Sequence, residues 1–195
     1  KWAVVFKFAS VSVPKDVTVT FKNHPSRAPV VWLVQGNVVI EGVVSLDGKD
    51  RSDDASLAHV NQEGGPGGFR GGLGNDQGNA GWGLGPVSGY LYNSYSSERL
   101  LPLIGGTGRR YGIRGPSGGG SILVATRQDI VVDGRLSAMG GAGGYPANPV
   151  ASGGGIRLVA QDVRGGGVFN VDYGRFRLEA ITQHLTHPRF ADSFP

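Results

Sequence analysis

Apolar and polar residues alternate along this chain in short bursts, and most bursts end at glycine. Val17-Thr-Val-Thr-Phe21 alternates with period two, as a half-buried strand does, and Trp2 to Phe8 does so in part. Three longer stretches share one plan: Val31 to Gly48, Ile122 to Gly140 and Ile156 to Asp172. Each holds an apolar strand, a polar corner, a second short strand, a glycine corner and a third strand. No stretch repeats with a period of 3.6, so no helix is expected. In Ile156-Arg-Leu158 and Arg175-Phe-Arg-Leu-Glu-Ala180, parity turns Ile156, Leu158, Phe176, Leu178 and Ala180 inward. Arg157, Arg175, Arg177 and Glu179 then face outward as a charge ladder, with Glu179 offsetting the repulsion of its arginine neighbours.

A chain that repeats strand, corner, strand, corner winds into a coil, and the expected fold is an all-β parallel β-solenoid. Glycine at the corners suits this in two ways: it supplies positive φ for tight bends, and it leaves room where corners stack. The repeats are unevenly spaced, so one long insertion must leave the stack. The expected organisation is a single solenoid domain over residues 1–181, a glycine-rich insertion at about 49–120, and a C-terminal strap or linker over 182–195. A β-sandwich is the alternative; Asp47-Gly48 and Asp133-Gly134 are the turn pairs it would use.

Composition sharpens this picture. Of 195 residues 35 are glycine, yet hydrophobic residues still reach 39%, enough to build a core and unlike a disordered chain. The insertion carries Phe69, Trp82, Tyr90, Tyr92 and Tyr95, more aromatics than a disordered linker needs, and is read as ordered and packed onto the coil. Charged residues are only 17%, with a net charge of +4. The arginines are dispersed, so nucleic acid is not an expected partner, while an acidic polysaccharide is a possible one. The absence of cysteine excludes disulfides and thiolate metal sites. No apolar run is long enough for a membrane-spanning helix.

Taken in order, several segments resemble a known group. They are Val17-Thr-Val-Thr-Phe21, Pro29-Val-Val-Trp-Leu33, Gly36-Asn-Val-Val-Ile-Glu-Gly42, Ser45-Leu-Asp-Gly48, Gly65-Pro-Gly-Gly-Phe69 and Gly81-Trp-Gly-Leu-Gly-Pro86. Pro102-Leu-Ile-Gly-Gly106, Gly118-Gly-Gly-Ser-Ile-Leu123, Gly153-Gly-Gly-Ile-Arg-Leu158 and Gly174-Arg-Phe-Arg-Leu-Glu-Ala180 follow. The series is similar to the large glycine-rich secreted proteins of acidobacteria, myxobacteria and related environmental bacteria. That resemblance covers nearly the whole chain. It implies an exported, cell-surface or extracellular protein with a solenoid-like domain, and it supplies no catalytic residues. Arg109-Arg-Tyr111 and Tyr173 stand where the group would have more glycine.

The search for chemistry yields few candidates. His184 and His187 are three apart, but Pro188 argues against the helix that spacing would need; His24 and His59 are isolated. Asp47, Asp50, Asp53 and Asp54 form the one carboxylate cluster. Lying in one polar loop, they are read as solvated, with Asp50, Asp53 and Asp54 as candidate Ca²⁺ ligands and otherwise no cofactor. Gly105-Gly-Thr-Gly-Arg-Arg110 lacks the Gly-Lys-Ser/Thr ending of a phosphate loop. Tyr90, Tyr92, Tyr95, Arg109, Arg110, Tyr111 and Arg114 are candidate contacts for a glycan or a partner. Val4, Phe6, Phe8, Phe176 and Leu178 are expected on the end strands, where unpaired backbone groups invite head-to-tail self-association. The leading expectation is a non-enzymatic extracellular structural protein that builds or decorates a filament, sheath or surface layer. A polysaccharide-binding adhesin and a β-helix polysaccharide lyase or hydrolase are the alternatives.

Overall fold

The computed structural model of the protein describes residues 2–57, 60–73, 98–109, 113–143, 150–186 and 189–190. The strands are β1 (Val4–Phe8), β2 (Val11–Val13), β3 (Thr18–Thr20), β4 (Val30–Val34), β5 (Val38–Ile40) and β6 (Val43–Ser45). After the glycine-rich region come β7 (Ser121–Thr126), β8 (Asp129–Val132), β9 (Arg135–Ser137), β10 (Gly155–Gly165), β11 (Val168–Asn170), β12 (Arg175–Leu185) and β13 (Arg189–Phe190). Every pairing among these strands is parallel. Parallel pairing between successive turns is what a coil produces, and it excludes the hairpins of a sandwich. The fold is thus all-β and of the parallel β-helix kind.

Three strands make each of the first three turns: β1 to β3, β4 to β6, and β7 to β9. In the last two turns one long strand, β10 or β12, runs across the first corner and replaces two short ones. This joins the first two faces into a single sheet, while β3, β6, β9, β11 and β13 form the third face. β12 continues to Leu185, in register with β10, and β13 pairs with β11, so the stack runs past residue 181 into the expected strap.

Register explains the core. Val4, Val30, Ile122, Ile156 and Phe176 stack in one inward column, and Phe6, Trp32, Val124, Leu158 and Leu178 in the next. On the third face Val19, Val44, Leu136 and Phe169 line up. Val44, Ile122, Leu136, Ile156, Leu158 and Phe169 are at most 1% exposed. Each fully buried side chain of this kind contributes roughly 1.5–3 kcal/mol relative to exposure.

Two kinds of glycine hold the coil together. At the corner before the third face, Gly42, Gly134 and Gly167 stack, and a Cβ on any of them would strike a carbonyl oxygen of the neighbouring turn. The amides of Asp133 and Gly134 both reach Ile40 O in the turn before, so this Asp-Gly pair makes an inter-turn corner and no hairpin. Positive φ is seldom the reason: among the described glycines only Gly67 and Gly165 have it, and Asp16, Arg27, Leu100 and Tyr173 adopt it elsewhere. Close approach is what excludes a side chain here.

The second kind builds a structure the strand pattern does not announce. The amides of Ser117, Gly118 and Gly119 donate to Lys49 O, Phe69 O and Ser152 O in turn; those of Gly120 and Ser121 return to Leu46 O and Pro66 O. A donor direction that returns every third residue belongs to the extended threefold polyproline-II helix and differs from the two-sided pattern of a strand. On the acceptor side, Pro116 O and Gly119 O, again three apart, take the amides of Arg109 and Gly106. Residues 115–120 are buried at the centre of this bundle. A Cβ on Gly118, Gly119 or Gly154 would overlap a neighbouring backbone. The described part of the insertion supplies segments of this bundle. It does not lie flat on a sheet: it packs side by side with the segments that leave β6 and β9 and enter β7 and β10.

Candidate functional site

The two ends of the coil are the first candidate. Among the described residues β1, β2 and β3 each pair on one side only, with β4, β5 and β6, and no strand pairs with the other edge of the first turn. At the far end β12 pairs only with β10, and β13 only with β11, among the described residues. Inward parity at an open end leaves apolar side chains half-covered: Phe6 is 40% and Phe8 37% exposed. Their rings stack 6.1 Å apart, and Phe8 meets Trp32 edge-on at 5.9 Å. Trp2, Val5 and Leu33 extend this exposed apolar end. Val4 is half-buried. At the other end Phe176 and Leu178 pack against the core, Phe176 lying 4.6 Å from Phe169, while Ile181 stands exposed.

The expected charge ladder lies on the outer side of the same strands. Arg157 and Arg177 are register partners, and both donate to Glu179 Oε1, at 2.7 and 2.6 Å. The Arg157 bond first, and the Arg177 bond next, hold the Glu179 carboxyl below the ordinary carboxylate range. On the next face Asp162 accepts from the Thr182 hydroxyl and from Arg164, which also reaches Asp129 at 2.8 Å. Both clusters tie the last turn or its neighbour to the stack.

The remaining sequence candidates divide. Arg114 was expected to face a ligand; it is instead buried, donates from Nε to Val60 O at 2.6 Å, and exchanges backbone bonds with Ser52. Arg109 enters the bundle through its backbone, and its Nη1 reaches Val150 O at 3.4 Å. Tyr90, Tyr92, Tyr95, Arg110 and Tyr111 lie outside the described residues.

The aspartates are not brought together. Asp50 accepts the Ala142 amide, Asp53 pairs with Arg51, and Asp54 accepts the amide and hydroxyl of Ser56 in the short 3-10 turn Ala55–Leu57. The Arg51 bond lowers the Asp53 carboxyl below its usual range, and the Ser56 bonds do the same for Asp54. Among the described residues no three histidine or acidic side chains are placed to share a metal ion. Asp47, grouped with them by sequence, serves the coil: it accepts from Ser45 Oγ, Ser137 Oγ and the Met139 amide.

Sequence reasoning missed Glu63, which joins Arg27 at 3.1 Å and Arg70 at 2.7 Å. Arg27 lies 36 positions upstream, so no local spacing marks the pair. No helix among the described residues is long and apolar enough to cross a membrane. No protein-family model, curated protein or solved structure matches the chain.

Proposed function

We propose that this chain is an extracellular or cell-surface structural protein whose coil ends pair head to tail, extending into a filament, sheath or surface layer. The observation that carries this reading is the pair of parallel edges without a strand partner among the described residues, one at each end of a stack with a single strand direction. A second copy set on the far end in the same register continues the columns of the first face. Its Val4 follows Phe176, its Phe6 follows Leu178 and its Phe8 follows Ala180; outside, its Lys7 follows Glu179. The contact is heterologous and does not close on itself, so it propagates. Unpaired edge strands with exposed apolar side chains are the surfaces that form such contacts.

Sedimentation velocity and electron microscopy across a concentration series test this. Wild-type protein is expected to form linear assemblies whose length rises with concentration. Phe6→Asp, which sets a charge on the open edge, is expected to stay monomeric with an unchanged strand spectrum by circular dichroism. Wild-type protein that remains monomeric at the highest soluble concentration would overturn the proposal. Assemblies unaffected by Phe6→Asp would overturn the assignment to these ends.

A further inference from the structure

A cleft of about 500 Å³ opens where the first two turns meet the glycine bundle. Three stretches far apart in sequence form it: 20–27 after β3, 45–49 after β6, and 63–70 in the bundle. Asn23 Nδ2 fastens the first stretch to the third through Gly64 O at 2.8 Å. Glu63 holds Arg27 on one carboxylate oxygen and Arg70 on the other. The walls are therefore fixed by bonds between segments.

Charge in the cleft is unbalanced. Lys22, Arg27, Lys49 and Arg70 line it against Asp47 and Glu63. Both carboxylates are already engaged, Asp47 by Ser45, Ser137 and the Met139 amide, Glu63 by the two arginines. Lys22 and Lys49 are exposed and have no ion-pair partner among the described residues. His24 lines the same cleft, with the Ser26 amide 3.1 Å from its Nδ1. Arg27 holds φ at 49°, a left-handed conformation that an arginine adopts only when its surroundings impose it. Phe21, Pro25 and Pro66 contribute apolar surface to the same cleft.

Cationic donors around apolar ring surfaces, in a space larger than an inorganic ion needs, match a sugar acid: its C–H faces lie on proline and aromatic rings and its anionic group meets lysine and arginine. We propose that this cleft binds an anionic saccharide, a uronate or sulfated unit of an acidic polysaccharide, with Lys22 and Lys49 as its principal charge contacts. The site is independent of the coil ends and stands or falls apart from assembly.

Isothermal titration of the full chain, below its assembly concentration, separates the outcomes. The probes are trigalacturonate, a sulfated disaccharide, a neutral galactose trimer and inorganic sulfate. One or both acidic saccharides are expected to bind, more weakly as salt rises. Lys22→Glu and Lys49→Glu are each expected to weaken that binding about tenfold or more. Arg127→Glu, an equal charge change at an exposed corner between β7 and β8, should change it by less than about twofold. Both lysines are exposed, so unchanged thermal melting is expected to show that the variants fold. Absence of binding by both acidic saccharides would overturn the proposal, as would equal binding of the neutral trimer, equal binding of inorganic sulfate, or an equal loss in Arg127→Glu.

Discussion

Gly119 and Gly166 are the same residue under opposite constraints. A Cβ on Gly119 would fall within 3 Å of the Ala138 carbonyl, which is backbone and cannot swing aside. A Cβ on Gly166 would meet Thr186 atoms no closer than 3.5 Å, an ordinary contact, and its φ is not in the left-handed region. Gly119→Ala is expected to lower stability by about 3 kcal/mol or more, the upper end of what overpacking costs. Gly166→Ala is expected to be neutral or to add about 0.5 kcal/mol by restricting the unfolded chain. Urea denaturation of both variants measures the difference; equal effects would show that close backbone approach does not govern the bundle. The few hydroxyl side chains in the bundle obey the same rule of space and satisfaction. Ser117 Oγ accepts the Lys49 amide and donates to Glu63 O, and Ser121 Oγ donates to Ile104 O.

At the scale of elements, the ladder on β10 and β12 shows how much was legible. Alternation alone placed Ile156, Leu158, Phe176 and Leu178 inside and set Arg157, Arg177 and Glu179 outside, because strand parity needs no knowledge of the partner strand. The stacked corner glycines Gly42, Gly134 and Gly167 could be read for a similar reason: they repeat at one position of the three middle turns. The bundle could not. Its threefold hydrogen bonding leaves no side-chain period, since its residues are chosen for having no side chain. Arg114 was misread because only the packed bundle reveals that it serves Val60 O, and the Glu63 clamp was missed because its partners meet only in the fold. The ladder makes a pH prediction. Glu179 has a folded-state pKa below its unfolded value, so its contribution is present above the ordinary carboxylate range and is lost as pH falls through the depressed folded value. Glu179→Gln is thus expected to cost about 1 kcal/mol near neutral pH, given its partial exposure. Thermal melting of the two proteins should converge as pH drops below about 4. A gap that persists unchanged at pH 3 would mean the ladder does not act through charge.

The whole molecule departs from an ordinary solenoid, in which each turn touches only its neighbours and the ends fray first. Residues 115–121 lead into β7, yet their amides bond segments that follow β6, lie within the insertion and precede β10. Turns two to four are thereby tied sideways by backbone bonds as well as along the stack. The strands of the first turn pair only with β4, β5 and β6 among the described residues, and side chains of its outgoing loop, Asn23 and Arg27, reach the bundle. Native-state hydrogen exchange should register this division. The amides of Gly118, Gly119 and Gly120, in no regular secondary structure, are expected to exchange as slowly as those of β7, and those of β1 to β3 much earlier. Exchange of Gly118–Gly120 at the rate of β1 would show that the bundle opens by itself and does not brace the coil. The same experiment at rising concentration links bracing to assembly. If copies pair end to end, protection rises at β1 and at the outer edge of β12 while Gly118–Gly120 stay unchanged, because the bundle is closed by its own segments and the pairing adds a neighbour only at the terminal turns.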